Sequence, residues 1–153
     1  MSFDAKELQA LSAALEKAGE TIAITETNKR IVQRGADIGH KAMKQKAPRS
    51  KDHSKSGRGY KGGGTMRPSG GHAAENIPLG NPRATGTAAS AKVGWTLGDN
   101  SEYFYMKFVN WGTVKMPPRN FIDPAAAVVE PQLPGIAMQE YEKTIQQTLG
   151  RFT

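Results

Sequence analysis

EYFYMKFVNWGTVKMPPRNFIDPAAA, residues 102–127, is the stretch on which the reading of this fold turns. It holds eight aromatic or methionine side chains: Tyr103, Phe104, Tyr105, Met106, Phe108, Trp111, Met116 and Phe121. Read with a period of two, Tyr103 to Trp111 is a strand. Tyr103, Tyr105, Lys107, Val109 and Trp111 lie on one side, and Phe104, Met106 and Phe108 on the other. Both faces are apolar, so the strand is either central or has one face against the core and one against another subunit. Gly112 then permits a bend that a side chain would oppose. Met116-Pro117-Pro118 is an extended arm, because each proline fixes φ and drives the residue before it towards extended backbone. Phe121 and Ile122 come next, and burying each is worth about 1.5–3 kcal/mol. Asp123-Pro124 reads as a helix start, a capping carboxylate followed by proline at the first helical position, continued by Ala125–Ala127. Phe121 either fills the core of its own subunit or anchors a neighbouring one.

Outward from this ribbon, HAAENIPLG (72–80) and ASAKVGWTLG (89–98) are short, bounded by turn residues, and read as two further strands. Ala91, Val93, Trp95 and Leu97 share a face in the second. Gly98-Asp99-Asn100 turns it into the third. Downstream, Pro131 and Pro134 interrupt or kink the helix, and an amphipathic segment with Met138, Tyr141, Ile145 and Leu149 closes at Gly150. At the other end, Leu8, Leu11, Leu15, Ala18 and Ile22 recur at helical spacing, with Ser2 as a cap and Asp4 in the first turn. Gly19 and the β-branched run Thr21–Thr25 weaken that helix. A second stripe follows: Ile24, Asn28, Ile31, Gly35, Ile38 and Ala42. The spacing predicts one long bent helix or two, roughly 3–18 and 22–46, ended by Pro48 no later than Ala47. The expected fold is α+β: an N-terminal helix or helix pair, a small antiparallel sheet, a C-terminal helix and a long basic Gly-rich loop. The expected layout is a single domain. Within it, residues 1–47 are helical, 48–72 form a flexible basic loop, 73–112 antiparallel strands, 113–122 the proline arm and 123–150 a C-terminal helical region.

Composition limits the function classes. Among 153 residues, 21 Lys and Arg against 14 Asp and Glu give a net charge of +7. Much of the excess sits in residues 48–72, where Arg49, Lys51, Lys55, Arg58, Lys61 and Arg67 face only Asp52. That segment has few large apolar residues besides Tyr60 and Met66, too little to offset the entropy of ordering it by burial. Three readings fit: a solvated loop, an arm ordered against a neighbouring subunit, or a charge contact to nucleic acid phosphates. The chain has no cysteine, so disulfides and thiolate metal sites are excluded. No run reaches the roughly 18 apolar residues of a membrane span, and the acidic N-terminal start is not a signal peptide, so a soluble, intracellular protein without a membrane partner is expected. His40, His53 and His72 have no metal-ligand spacing. Gly62-Gly63-Gly64-Thr65 lacks the Lys-Ser/Thr ending of a phosphate loop, and Ser69, Ser90 and Ser101 lack a nucleophile-elbow context. No catalytic, metal or cofactor site is expected, and the chain does not read as an enzyme.

The segment YFYMKFVNWGTVKMPPRNFIDPA resembles the tail-completion (head–tail joining, or neck) proteins of long-tailed bacteriophages. Their pattern is a strand ending in a hydrophobic–acidic–hydrophobic–Gly-Thr turn, a Met-Pro-x-Arg arm, then an aromatic residue and a Pro-Ala helix start. A weaker likeness is the Ala47-Pro48 pair closing the first helix, followed later by Gly64-Thr65-Met66-Arg67-Pro68-Ser69. Asn110 stands where the family commonly has an acid and Asn120 where it commonly has proline, and the basic loop is an insertion between the two weaker pieces. The resemblance implies a structural protein of the virion. Such proteins form a ring, commonly sixfold, between the tail tube and the head–tail connector or stopper protein, assembled in the host cytoplasm. Under it, Phe104, Met106 and Phe108 are expected in the core. The interface candidates are Arg49, Lys51, Lys55, Arg58, Tyr60, Lys61 and Arg67 in the loop, Tyr103, Tyr105 and Trp111 in the ribbon, and Met116, Pro117, Pro118, Arg119 and Phe121 in the arm. The competing reading is a basic nucleic-acid-binding protein, with Tyr60 able to stack on a base.

Overall fold

The β-branched run Thr21–Thr25, expected to weaken the first helix, is instead absorbed by it, as is Thr27 beyond it. The Thr25 hydroxyl donates to the Thr21 carbonyl at 2.8 Å and that of Thr27 to the Ala23 carbonyl at 2.8 Å, so both are satisfied one turn back without breaking the ladder. In this computed structural model one helix, α1, therefore runs unbroken from Ala5 to Lys46, ending just before Ala47-Pro48. The structure describes residues 5–49, 51, 71–96, 98–99 and 101–149, with the helical course alone for 5–18, 20, 148 and 149. The remaining elements are a 3-10 turn (Ala73–Glu75), β1 (Arg83–Thr85), β2 (Ala88–Ser90), α2 (Met106–Trp111), α3 (Ile122–Val129), a second 3-10 turn (Glu130–Gln132) and α4 (Leu133–Leu149). The class is α+β.

The sheet differs from the expected one. Its two strands form a hairpin, with Arg83 opposite Ser90 and Thr85 opposite Ala88. They turn at Gly86-Thr87, where Gly86 has φ 58°; glycine at the first of two turn positions suits the twist of a hairpin. The stretch 72–80 is not a strand: it forms the 3-10 turn, and only Leu79 bridges to Val93. Tyr103–Trp111 is not a strand either. Residues 102–105 turn and α2 follows. The buried positions explain why: Tyr103, Met106 and Asn110 recur at helical spacing, and a strand would have separated Met106 from Tyr103. Of the three side chains expected in the core, Met106 is there; Phe104 is half-buried and Phe108 is exposed.

The chain divides into two units. The first comprises Met1–Arg34, Pro82–Ala91 and Pro134–Thr153. Its described interior is mostly polar: Thr27, Asn28 and Glu140 are buried, with Ile136 as the buried apolar side chain. Thr27 is fully buried and shares a 2.7 Å hydrogen bond with Thr144. The Asn28 amide donates to the Thr87 carbonyl, and the Tyr141 hydroxyl to Asn28 Oδ1, tying α4 and the hairpin to α1. Glu140, 5% exposed, accepts from Arg34 at 2.8 Å, Arg30 at 3.2 Å and Lys143 at 3.4 Å. Burial opposes the charge of Glu140, but the hydrogen bonds of Arg34 and Arg30, with Lys143, outweigh it and hold the carboxyl below the usual range. A carboxyl lowered on folding stabilises above its unfolded pKa, near 4.3, and loses that contribution as pH falls through the folded value. Glu140→Gln should therefore be about 1–3 kcal/mol less stable than the wild type in denaturant titrations at pH 7. That gap should narrow below about pH 4.

The second unit, Gly35–Asn81 with Lys92–Leu133, holds the apolar core. Met43, Ala47, Ala74, Ile77, Trp95, Tyr103, Met106, Phe121 and Ala125 all pack there. Gly35 is the site of a close approach: a Cβ would lie 2.8 Å from the Leu133 side chain, so any larger residue would push the helices apart. His40 Nε2 donates to the Ile77 carbonyl at 2.9 Å, a structural task for one of the three histidines.

Candidate functional site

Apart from the basic segment, the sequence-derived interface residues fall on the turn at 102–105, on α2 and on the chain that follows it. α2 is short and two-faced. Tyr103, Met106 and Asn110 turn inward, while Phe108 is 43% and Trp111 58% exposed. Phe104 and Phe108 meet edge-to-face at 6.1 Å, and the Lys107 ammonium lies 5.4 Å from the Phe108 ring, a cation–π distance.

Gly112 ends the helix with φ 79° and ψ 176°. Its N–H donates to the Phe108 carbonyl at 2.8 Å. A Cβ there would sit 2.8 Å from Pro118 N and 2.9 Å from Met116 O, so the arm folds back over this residue. Thr113 and Met116 close a turn with two backbone hydrogen bonds, 2.8 and 3.1 Å, and Val114 at its tip is fully exposed. Pro117 and Pro118 follow without helix or strand. Arg119 N donates to Val109 O and Asn120 N to Asn110 O, both at 3.0 Å. The arm is thus pinned to the end of α2. Asn120 takes φ 39°, where a proline is impossible.

Asn110 joins arm and helix. It is 1% exposed, and its Oδ1 accepts from Phe121 N at 2.9 Å and Ile122 N at 3.0 Å. These are two of the four N–H groups that the start of a helix leaves unpaired. The expected cap, Asp123, instead lies in the first turn of α3, which begins at Ile122. Asn110 makes the cap from eleven residues away, which no local spacing rule could reveal. Asn110 Nδ2 is buried without a partner among the described residues. An acid at this position, common in the resembling family, has the same acceptor and no orphan donor. Asn110→Ala should cost about 2–3 kcal/mol in chemical denaturation, because it leaves buried N–H groups unpaired. Asn110→Asp keeps the acceptor at a helix N-terminus but buries a charge, and is expected to fall between wild type and alanine.

Phe121 lies in the core, 3% exposed, with its ring edge-on to Trp95 at 6.4 Å. Tyr103 is also buried; its hydroxyl donates to the Gly71 carbonyl at 2.9 Å and accepts from Asn76 Nδ2 at 3.1 Å. Both are structural within their own unit, so their side chains are not part of the exposed surface. Trp111, Pro117, Pro118 and Arg119 are exposed; Tyr105 and Met116 are half-buried.

Tyr105 and Met116 line a groove of about 230 Å³ with Met106 and Val109 as its apolar floor. Pro48, Ala73, Arg49, His72 and Arg119 complete it. Arg49 is held by Glu75 at 2.6 Å, and the Arg49 hydrogen bond and charge lower the Glu75 pKa. His72 Nδ1 accepts from Ala74 N at 3.0 Å, capping the 3-10 turn. The side chain of Arg119 has no hydrogen-bond or ion-pair partner among the described residues. Lys51 is exposed. Lys55, Arg58, Tyr60, Lys61 and Arg67, with most of the Gly-rich loop, lie outside the described residues. Among the described residues, no group of three His, Asp or Glu is placed to hold a metal, and no helix is long and apolar enough to cross a membrane.

No curated protein and no solved structure matches the chain significantly. A sequence profile described as "Bacteriophage HK97-gp10, putative tail-component" matches residues 9–112, about two thirds of the chain. The match covers most of α1, the basic segment, the hairpin and α2, and stops where the arm begins. The chain belongs to the HK97-gp10-like family of bacteriophage tail components.

Proposed function

We propose that this tail component is a structural, non-catalytic protein that forms a ring, sixfold in copy number, at the head–tail junction. There it completes the tail and joins the tail tube to the connector or stopper protein. The observation that carries the reading is the surface at the end of α2. Phe108, Trp111 and Val114 are exposed on a turn whose backbone is pinned by the arm, so the patch is presented rigidly instead of being free to fold inward. Exposed large apolar groups on a fixed scaffold mark an association surface. Identical copies that meet through different surfaces close into rings when the rotation permits. The exposed members of the predicted ribbon and arm, Trp111, Pro117, Pro118 and Arg119, fall here. The basic segment around Lys55, Arg58, Tyr60, Lys61 and Arg67 would add a contact to a neighbour or to DNA on its way through the junction.

Production of phage without this chain tests the role. DNA-filled heads and separate, unjoined tails are the expected products; intact infectious particles would refute it. Tight binding to random DNA, with a salt slope of several times about −0.9 and no self-association, would favour the nucleic-acid-binding reading instead.

A further inference from the structure

Two consecutive stretches of the second unit carry opposite charge. Residues 107–119, which are α2 after Met106 and the arm up to Arg119, have Lys107, Lys115 and Arg119 and no acid. Residues 120–132, which contain α3, have Asp123 and Glu130 and no base. Only four positions separate Arg119 from Asp123, yet among the described residues no ion pair joins the two stretches. The arm is pinned to the end of α2 and the start of α3 is capped by Asn110, so neither stretch can swing to meet the other. Their charges are left facing outward.

The shapes also differ. α3 turns Ala125 inward, with Ile122 and Val129 half-buried on the same side. Asp123, Ala126, Ala127 and Glu130 are exposed along the opposite side, as a helical period requires. The two carboxylates are therefore two turns apart, about 10 Å along the axis, with only alanine methyls between them. That face is flat and has room for a bulky group. The α2 end offers one: Trp111 is exposed at the last position of the helix, Val114 is fully exposed at the tip of the turn, and Lys115 and Arg119 are exposed on the arm. An aromatic anchor rimmed by charge is the usual make-up of a subunit contact.

We infer that the Trp111 surface of one copy receives the exposed face of α3 from a second copy of this chain. The inference rests on the assembly reading above and specifies the two surfaces that meet. Trp111 covers Ala126 and Ala127, while Lys115 and Arg119 pair with Asp123 and Glu130. The two surfaces are different, so the contact is heterologous and repeats from copy to copy. Their opposite charge fixes the register and opposes the pairing of like surfaces.

Lys115→Glu with Arg119→Glu makes both surfaces of a copy acidic, and Asp123→Lys with Glu130→Lys makes both basic. Each full-length variant alone should need about tenfold or more higher concentration for half-assembly, read by light scattering. An equal mixture of the two should assemble near the wild-type concentration, with the variants alternating. A retained denaturation midpoint in each separates lost association from lost fold. Cross-linking gives a readout that leaves these charges in place, and the native chain has no cysteine to add background. Val114→Cys and Ala127→Cys proteins, mixed and oxidised, should give a disulfide-linked product containing one of each, in excess of Val114→Cys paired with Lys92→Cys. Wild-type assembly in both charge variants, with cross-linking no greater than in that control, overturns this inference and leaves the ring reading standing. Intact self-assembly of Lys115→Glu with Arg119→Glu, combined with lost attachment to purified tails or to random DNA, overturns it too and assigns the Trp111 surface to a tail protein or to DNA. A wild-type chain that remains monomeric, alone and with purified tails, overturns both readings.

Discussion

Phe121→Ala is expected to lower the stability of the isolated protein by about 3–5 kcal/mol, measured as a shift in denaturation midpoint with unchanged slope. The residue is 3% exposed and meets Trp95 edge-to-face, so removing the ring leaves a cavity that proline-restricted backbone on one side is poorly able to fill. The neighbourhood adds to the loss: Phe121 N is one of the two groups that Asn110 caps at the start of α3. Phe121→Leu, which retains much of the volume, should recover more than half of the effect. Unchanged stability with failed association would instead make Phe121 an anchor for a neighbour.

Gly112→Ala should be as damaging by a different route. At φ 79° and ψ 176° the backbone lies in a region populated almost only by glycine, and a side chain there costs about 1–3 kcal/mol in strain. The added Cβ would also meet the Pro118 nitrogen at 2.8 Å and the Met116 carbonyl at 2.9 Å. Those are main-chain atoms, one in a residue whose φ is fixed, so they cannot rotate aside. The arm must lift, and the bonds from Arg119 N to Val109 O and from Asn120 N to Asn110 O lengthen with it. A total loss of at least about 3 kcal/mol is expected. It should be accompanied by proteolytic cleavage in 113–120 that the wild type resists. Wild-type stability in this variant would show that the fold-back is not what holds the arm.

The helical ends of the chain were legible because their signals are local. The 3.6-residue spacing of apolar groups and the stop at Pro48 mark α1, and Pro131 falls where α3 passes through a 3-10 turn into α4. Tyr103–Trp111 misled because its composition, aromatic and β-branched, fits a strand, while its burial follows a helical period that only tertiary packing reveals. The hairpin at Arg83–Ser90 was missed because alanine and threonine give it no apolar alternation; its one signal was Gly86. Trp111, Pro117, Pro118 and Arg119 were identified from sequence as surface candidates, since a proline arm after an aromatic run is a local pattern. Asn110 and Glu140 were not, because their partners lie eleven and more than a hundred residues away in sequence.

The account depends on association of sister copies at the end of a tail. Electron microscopy of the purified protein, alone and added to tails that lack it, tests this most directly. Closed rings of identical subunits, seated on one end of the tail tube, are the predicted result. Single particles of about 16.5 kDa that leave the tail ends bare at every concentration would contradict it.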